Sequence, residues 1–227
     1  MGIYAGRVLE VRAEAGGMAA TIVCPAGAVP ASGQYLQAAV TGDVLGAPLF
    51  YAGEWPGGFR AAPPLPAGWA PGALLALRGP LGHGFRLPES VKRLALVAAD
   101  ESLARLLPLA AVALQREAAV TLFSDLPLPQ LPAALEAYPL GALAEALAWA
   151  DFLALDLPIE DLPGIGARLG LSQSNQPPCP GQVLVQTPMP CAGLAECGFC
   201  AVRTQRGWKL ACVHGPVFDL GEIMRKT

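Results

Sequence analysis

The sequence predicts an α/β plus β protein made of a small N-terminal β-barrel, a small parallel α/β (Rossmann-like) layer and a compact C-terminal module organised by cysteines. Three observations carry this prediction. The first 88 residues fall into short alternating segments divided by Gly/Pro turns, strand–helix alternation begins near Lys92, and four of the six cysteines crowd between positions 191 and 212. The corresponding units run 1–88, 89–178 and 179–227.

In the first unit, Ile3 to Ala13 alternates apolar and polar residues, Met18 to Cys24 is an apolar run, Gln34 to Thr41 alternates again, and Gly72 to Leu77 leads into Arg78-Gly79-Pro80. Several short strands of this kind suit a small barrel. Gly53 to Gly72, rich in Pro, Gly and Trp, shows no period of a regular element. In the second unit, Arg93 to Ala99 reads as a buried strand, Glu101 to Gln115 as a helix, and Ala118 to Ser124 as a strand. Leu131 to Trp149 reads as a broken helical region and Asp151 to Asp156 as a third strand. In the third, Gln182 to Gln186 is a strand, and Phe199 to Gln205 and Trp208 to Cys212 flank the turn Arg206-Gly207.

Cys191, Cys197, Cys200 and Cys212 carry the chemistry. Three thiolates on one loop and a fourth at the end of a following strand is the pattern that holds a [2Fe–2S] cluster, whose plant-type spacing is Cys-x4-Cys-x2-Cys with a distant fourth Cys. The first gap here is one residue longer. Gly193 and Gly198 permit turns that aim backbone N–H groups at cluster sulfurs. Structural zinc is the main alternative, but it takes its thiolates from two separated knuckles, and only Cys197 to Cys200 forms one. Disulfides or unligated thiols are the third reading. Cys24, ending an apolar strand, is expected in the core, and Cys179, in Pro177-Pro-Cys-Pro180, is the one alternative ligand to Cys191. His214 follows Cys212 by two residues as in half of a Rieske site, but position 200 is Cys where the other half needs His, so it is expected in the loop. His83 is expected in a solvated turn, and Trp55, Trp69 and Trp208 are expected to pack.

Composition excludes several classes. The chain is 53% hydrophobic, only 15% charged, and its net charge of −3 includes no basic cluster, so nucleic acid is excluded as a partner. The longest apolar run, Leu106 to Leu114, is short of the ~20 residues of a membrane span. The N-terminus lacks the apolar stretch of a signal peptide, and a cytoplasmic, reducing location is expected. No Ser/His/Asp or Cys/His nucleophile set can be assembled from two loop histidines, so the chain is expected to be a non-catalytic redox subunit of an oxidoreductase complex.

Two stretches resemble the electron transfer subunit of dihydroorotate dehydrogenase, a branch of the ferredoxin-reductase-like flavoproteins. They are Arg78-Gly-Pro-Leu-Gly-His-Gly-Phe85, similar to the Gly-Pro-Leu-Gly-x-Gly-Phe that closes that family's flavin barrel, and Met189 to Cys200 with Cys212-Val-His-Gly-Pro-Val-Phe218, similar to its cluster motif. The resemblance implies a ferredoxin-reductase-like barrel and a [2Fe–2S] cluster on Cys191, Cys197, Cys200 and Cys212. It also implies a flavin-side loop at Gly79, Pro80, Leu81 and Gly82, and a partner flavoprotein such as a dihydroorotate dehydrogenase-like catalytic subunit. Electrons in that family pass between NAD(H), FAD, the cluster and the partner.

Both nucleotide motifs depart from the pattern. The flavin strand, Pro48 to Trp55, lacks the family's Arg and Ser, which weakens the case for FAD. The turn after the first α/β strand, Ala98 to Ser102, holds Asp100 and Glu101 where a phosphate cradle needs glycine amides, which argues against NAD. The expected function is an electron relay. The alternative is a non-catalytic assembly or docking subunit whose metal is structural.

Overall fold

The computed structural model describes residues 2–40, 42, 43, 45–99, 103–128, 130–169, 177, 179–191 and 193–224. Strands β1 (Gly2–Glu14), β2 (Gly17–Val23), β3 (Tyr35–Val40), β4 (Ala47–Trp55), β5 (Gly58–Ala61) and β6 (Leu74–Leu81) close into a barrel in the order β1-β2-β5-β4-β3-β6, every neighbour antiparallel. Val8, Ile22, Leu36, Leu49, Phe59 and Leu77 fill its interior without solvent exposure. Burying side chains of this size stabilises the barrel by about 1.5–3 kcal/mol each.

β4 and β5 lie within or beside the stretch read as irregular. Their signal is hidden because β4 carries a bulge between Tyr51 and Gly53, where Gly53 has φ +145°, and an extra residue in a strand breaks the period-two pattern.

The second sheet contains β7 (Arg93–Ala98), β8 (Ala119–Phe123), β9 (Leu135–Tyr138), β10 (Phe152–Pro158), β11 (Gly181–Gln186) and β14 (Val217–Asp219), in the order β14-β11-β10-β7-β8-β9. All its pairings are parallel except that of β14 with β11. All seven residues of β10 are buried, as a central strand covered on both faces requires. Helix α1 (Leu107–Gln115) begins with Pro108 in its first turn, later than the sequence suggests, while residues 101 and 102 lie outside the described ones. The region read as broken helix contains strand β9 before the short helix α2 (Leu143–Ala146), because pairing with β8 overrides the helical propensity of Leu135-Glu-Ala-Tyr138. After α3 (Ile165–Arg168) and β11, the hairpin β12 (Ala201–Thr204) and β13 (Gly207–Leu210) leads into α4 (Ala211–His214), then β14 and α5 (Leu220–Ile223).

β11 and β14, which the sequence reading groups with the cysteines, are thus hydrogen-bonded into the parallel sheet. One continuous core brings together that sheet's inner face, Cys200 and Cys212, and two barrel residues, Tyr35 and Leu81. The cysteine segment is therefore wedged between barrel and sheet.

Candidate functional site

The chain leaves β11 at Gln186 and enters the cysteine loop through Thr187 to Pro190. Gly193 and Ala195 adopt φ of +75° and +64°, and Gly198 +72°. Successive turns of this hand create a concave row of amides. The N–H groups of Ala195, Glu196 and Cys197 are turned toward the Cys191 sulfur and favour its negative form. Gly193 has a second constraint, since a Cβ there would sit 2.9 Å from the Tyr35 hydroxyl.

Cys191 and Cys197 are partly exposed and Cys200 and Cys212 are buried. Cys197 acts on Cys191, and Cys200 and Cys191 both act on Cys212, so the four thiols share one electrostatic neighbourhood. Among the described residues no three His, Cys, Asp or Glu groups converge as ligands of one ion would. Burial tends to raise the Cys191 thiol, but the Cys197 thiol and the three amides hold it down to about 6. Cys212 is pushed up to about 12 by burial first, then by the hydrogen bond and charge of Cys200 and the charge of Cys191, against the opposing Ala195 amide. The loop thus stabilises negative sulfur at its mouth and resists it at its base.

Tyr35 of β3 supports the site from below, a role sequence reasoning misses. It is fully buried, and its hydroxyl donates to the Cys212 carbonyl at 3.2 Å across 177 positions of sequence. Its own ionisation is raised, by burial first and then by Cys212, Cys200 and Cys191. Nothing in an alternating barrel strand marks one inward tyrosine as the support of a distant loop.

Gly79, Pro80 and Leu81 end β6, and Leu81 packs with Tyr35, Cys200 and Cys212. A Cβ on Gly82 would lie 2.6 Å from the Gly215 carbonyl and from Pro216. The His83 ring Nδ1 lies 3.1 Å from the His214 carbonyl, and the Leu210 amide donates to His214 Nδ1 at 3.3 Å. This stretch therefore rests against the segment that carries Cys212.

Cys24 lies in the barrel core with its thiol raised by burial. Cys179 precedes β11 at the opposite end from Cys191, near Asp151, and the six residues of that strand span about 20 Å. Trp69 packs on the barrel core, whereas Trp208 is cross-strand from Arg203 and 71% exposed. The expected packing of Trp208 is corrected: its side of the two-stranded ribbon has no covering layer. Leu194, Phe199 and Val213 are exposed on the same cysteine-bearing segment.

A cleft of about 510 Å³ opens beside the loop, between barrel residues around Pro48, Phe50 and Pro63 to Pro66 and sheet residues Arg105, Pro158, Glu160 and Gln186 to Pro188. At its base lies a buried network. Arg105 Nε donates to Asp156 Oδ2 at 2.6 Å and Nη1 to the Pro63 carbonyl at 3.0 Å, while Gln186 Nε2 donates to Asp156 Oδ1 at 2.7 Å. Asp156 stands opposite Ala98, between β7 and β10, where the strand order reverses and open α/β sheets bind ligands. Asp100, Glu101 and Ser102 of the degenerate turn lie outside the described residues.

Residues 188–224 match the iron-sulfur cluster binding domain of dihydroorotate dehydrogenase B. No curated protein matches the sequence. Among solved structures, a chain of the NADH-dependent reduced ferredoxin-NADP oxidoreductase, studied for flavin-based electron bifurcation, superposes with a TM-score of 0.76 at 19% identity, covering 96% of this chain and 88% of that one. The ferredoxin reductase of carbazole 1,9a-dioxygenase, in its FAD apo form, gives 0.58 at 20% identity over 75% of this chain and 64% of that one. A ferredoxin NADP+ reductase from Neisseria gonorrhoeae with bound FAD and NADP gives 0.56 at 14% identity over 81% and 98%. The fold is ferredoxin-reductase-like.

Proposed function

We propose that this chain, an iron–sulfur electron transfer subunit carrying the cluster-binding domain of dihydroorotate dehydrogenase B on a ferredoxin-reductase-like scaffold, holds a [2Fe–2S] cluster and relays single electrons to or from a partner flavoprotein. The observation that carries the cluster is the match of residues 188–224 to an iron-sulfur cluster binding domain. On that segment Cys191, Cys197 and Cys200 with the more distant Cys212 follow the spacing of a [2Fe–2S] site, one residue longer in the first gap. A structural zinc site draws its thiolates from two separated knuckles, and only Cys197 to Cys200 forms one.

When bound, the cluster supplies a one-electron couple. The chain's own residues do the rest. The amides of Ala195, Glu196 and Cys197 offer hydrogen bonds to thiolate sulfur, which favour added negative charge and so raise the reduction potential. Tyr35, with Leu81 beside it, fixes the buried Cys200 and Cys212 pair against the barrel. The exposed Leu194, Phe199, Trp208 and Val213 give the cysteine segment an apolar rim suited to a redox partner, where desolvated contact brings electron donor and acceptor close. We assign the partner as a dihydroorotate dehydrogenase-like catalytic flavoprotein.

FAD does not fit the cleft. Six of its fourteen lining residues are proline, which has no N–H to donate to a diphosphate, and the charge of Arg105 is already neutralised by Asp156. The division into units 1–88, 89–178 and 179–227 and a cytoplasmic location complete the proposal. Among the described residues no helix is long and apolar enough to cross a membrane.

Anaerobic purification followed by iron and acid-labile sulfide analysis, with visible spectra before and after dithionite, tests the reading. Equal iron and sulfide and bands that bleach on reduction are expected. A colourless zinc protein would overturn the relay in favour of a docking subunit with a structural metal.

A further inference from the structure

One barrel residue reaches both ends of the cysteine-bearing segment. Tyr35 stands at the start of β3, opposite Phe50 on one side and Leu81 on the other, and is fully buried among Leu81, Cys200 and Cys212. A phenylalanine would fill that space as well. The hydroxyl is the part that packing does not explain, because burying it costs free energy unless it is hydrogen-bonded. It donates to the Cys212 carbonyl at 3.2 Å. In the one-turn helix α4 the Gly215 N–H closes on the Ala211 carbonyl, and the next bond of that series would run from position 216 to Cys212. Position 216 is proline and has no N–H to give. Tyr35 thus supplies from the barrel the donor that α4 lacks. On the other side of the hydroxyl lies the turn at Gly193, two residues after Cys191, where a Cβ would stand 2.9 Å from the phenol oxygen.

We propose that Tyr35 is a positioning residue for the cluster, whose hydroxyl caps the Cys212 carbonyl, holds that ligand against the turn after Cys191 and raises the reduction potential. The O–H aims the positive end of its dipole at the peptide of a ligand, and each donor placed near the ligands favours the added electron. Without it the carbonyl leaves an uncompensated partial negative charge beside the Cys212 thiolate. The capping stands on the geometry alone, whereas the effect on potential rests on the relay reading above.

Tyr35→Phe keeps the ring and removes the donor. In the metal-free chain, alkylation of Cys212 by iodoacetamide, followed by peptide mass spectrometry, is expected to quicken about fivefold, because one lost hydrogen bond lets the segment open more often. Cys24, in the barrel core, reports general loosening and should keep its rate. In the full chain with its cluster, a redox titration followed by electron paramagnetic resonance is expected to show a lower midpoint potential and shifted g values for Tyr35→Phe at unchanged iron content. A side chain that only filled space would leave the potential where it was. Gly193→Ala presses a methyl group on the same hydroxyl, so it should lower the potential as well, and by less in the Tyr35→Phe background. An unchanged Cys212 rate, equal acceleration of Cys24, an unchanged potential or additive effects of the two substitutions would overturn the assignment. A parent chain that holds zinc in place of iron and sulfide would overturn the relay reading and with it the effect on potential, while the alkylation rates would still decide the capping.

Discussion

The cysteine loop and the proline-walled cleft lie side by side, and they treat the same chemical problem in opposite ways. A negatively charged group needs backbone N–H donors around it. The loop provides them by threading Gly193, Ala195 and Gly198 through left-handed conformations, so that three consecutive amides converge on one sulfur. The cleft withholds them, with prolines along the barrel wall and a buried cation already matched to Asp156. The contrast teaches that, on one scaffold, the supply of main-chain donors decides which of two neighbouring regions is suited to negative charge.

The largest break in this comparison comes from the loop's thiolates. Cys197→Ser and Cys200→Ser are each expected to abolish the proposed cluster, because each removes one of four soft ligands and Cys179 lies at the far end of β11. Iron content and visible absorption of the purified variants check this. Full iron in both would mean that these cysteines are not the ligand set.

How far the sequence discloses these two regions differs for a physical reason. The cysteine segment is legible because thiols at short, defined spacings leave a mark in the sequence itself, and residues 188–224 match a cluster-binding domain. Most barrel and sheet strands are legible by their periods, from β1 and β2 to β10 and β11. β4 is obscured by the bulge at Gly53, and β9 by a four-residue sequence of helix formers that only its neighbour β8 holds extended. Tyr35 and Arg105 are invisible for a third reason. Their partners, the Cys212 carbonyl, Asp156 and Pro63, are distant in sequence and brought close only by the packing of barrel on sheet.

Next in size is the buried ion pair of the cleft. Arg105→Ala should destabilise the fold by about 3–5 kcal/mol, since it leaves the Asp156 carboxylate buried without its cation. The double substitution Arg105→Met with Asp156→Leu should recover most of that loss, because two apolar side chains leave no charge behind. Denaturation midpoints of the three proteins measure it. An Arg105→Ala protein as stable as the parent would show that the network is an incidental surface contact.

A smaller effect is expected where barrel meets loop. Tyr35→Phe keeps the ring against Phe50 and removes only the donor to the Cys212 carbonyl, a loss of about 1 kcal/mol in the denaturation midpoint. Tyr35→Ala empties a fully buried position and should cost about 3–5 kcal/mol, as large aromatic truncations in a core do. Equal losses in the two variants would mean that the hydroxyl, and not the packing, holds the loop in place.

The smallest expected effect is none, and it separates the two regions most cleanly. Dithionite, which needs no binding site, should bleach the visible bands of the isolated chain, whereas NADH should leave them unchanged. A dinucleotide would have to enter at the switch point between β7 and β10, and there Asp156 faces it with a carboxylate while Arg105 is committed to that carboxylate and to the barrel. Opening the crevice would mean separating a buried pair 2.6 Å apart. Stopped-flow mixing with NADH under anaerobic conditions measures this directly. Rapid bleaching would show that the pair opens to admit a dinucleotide.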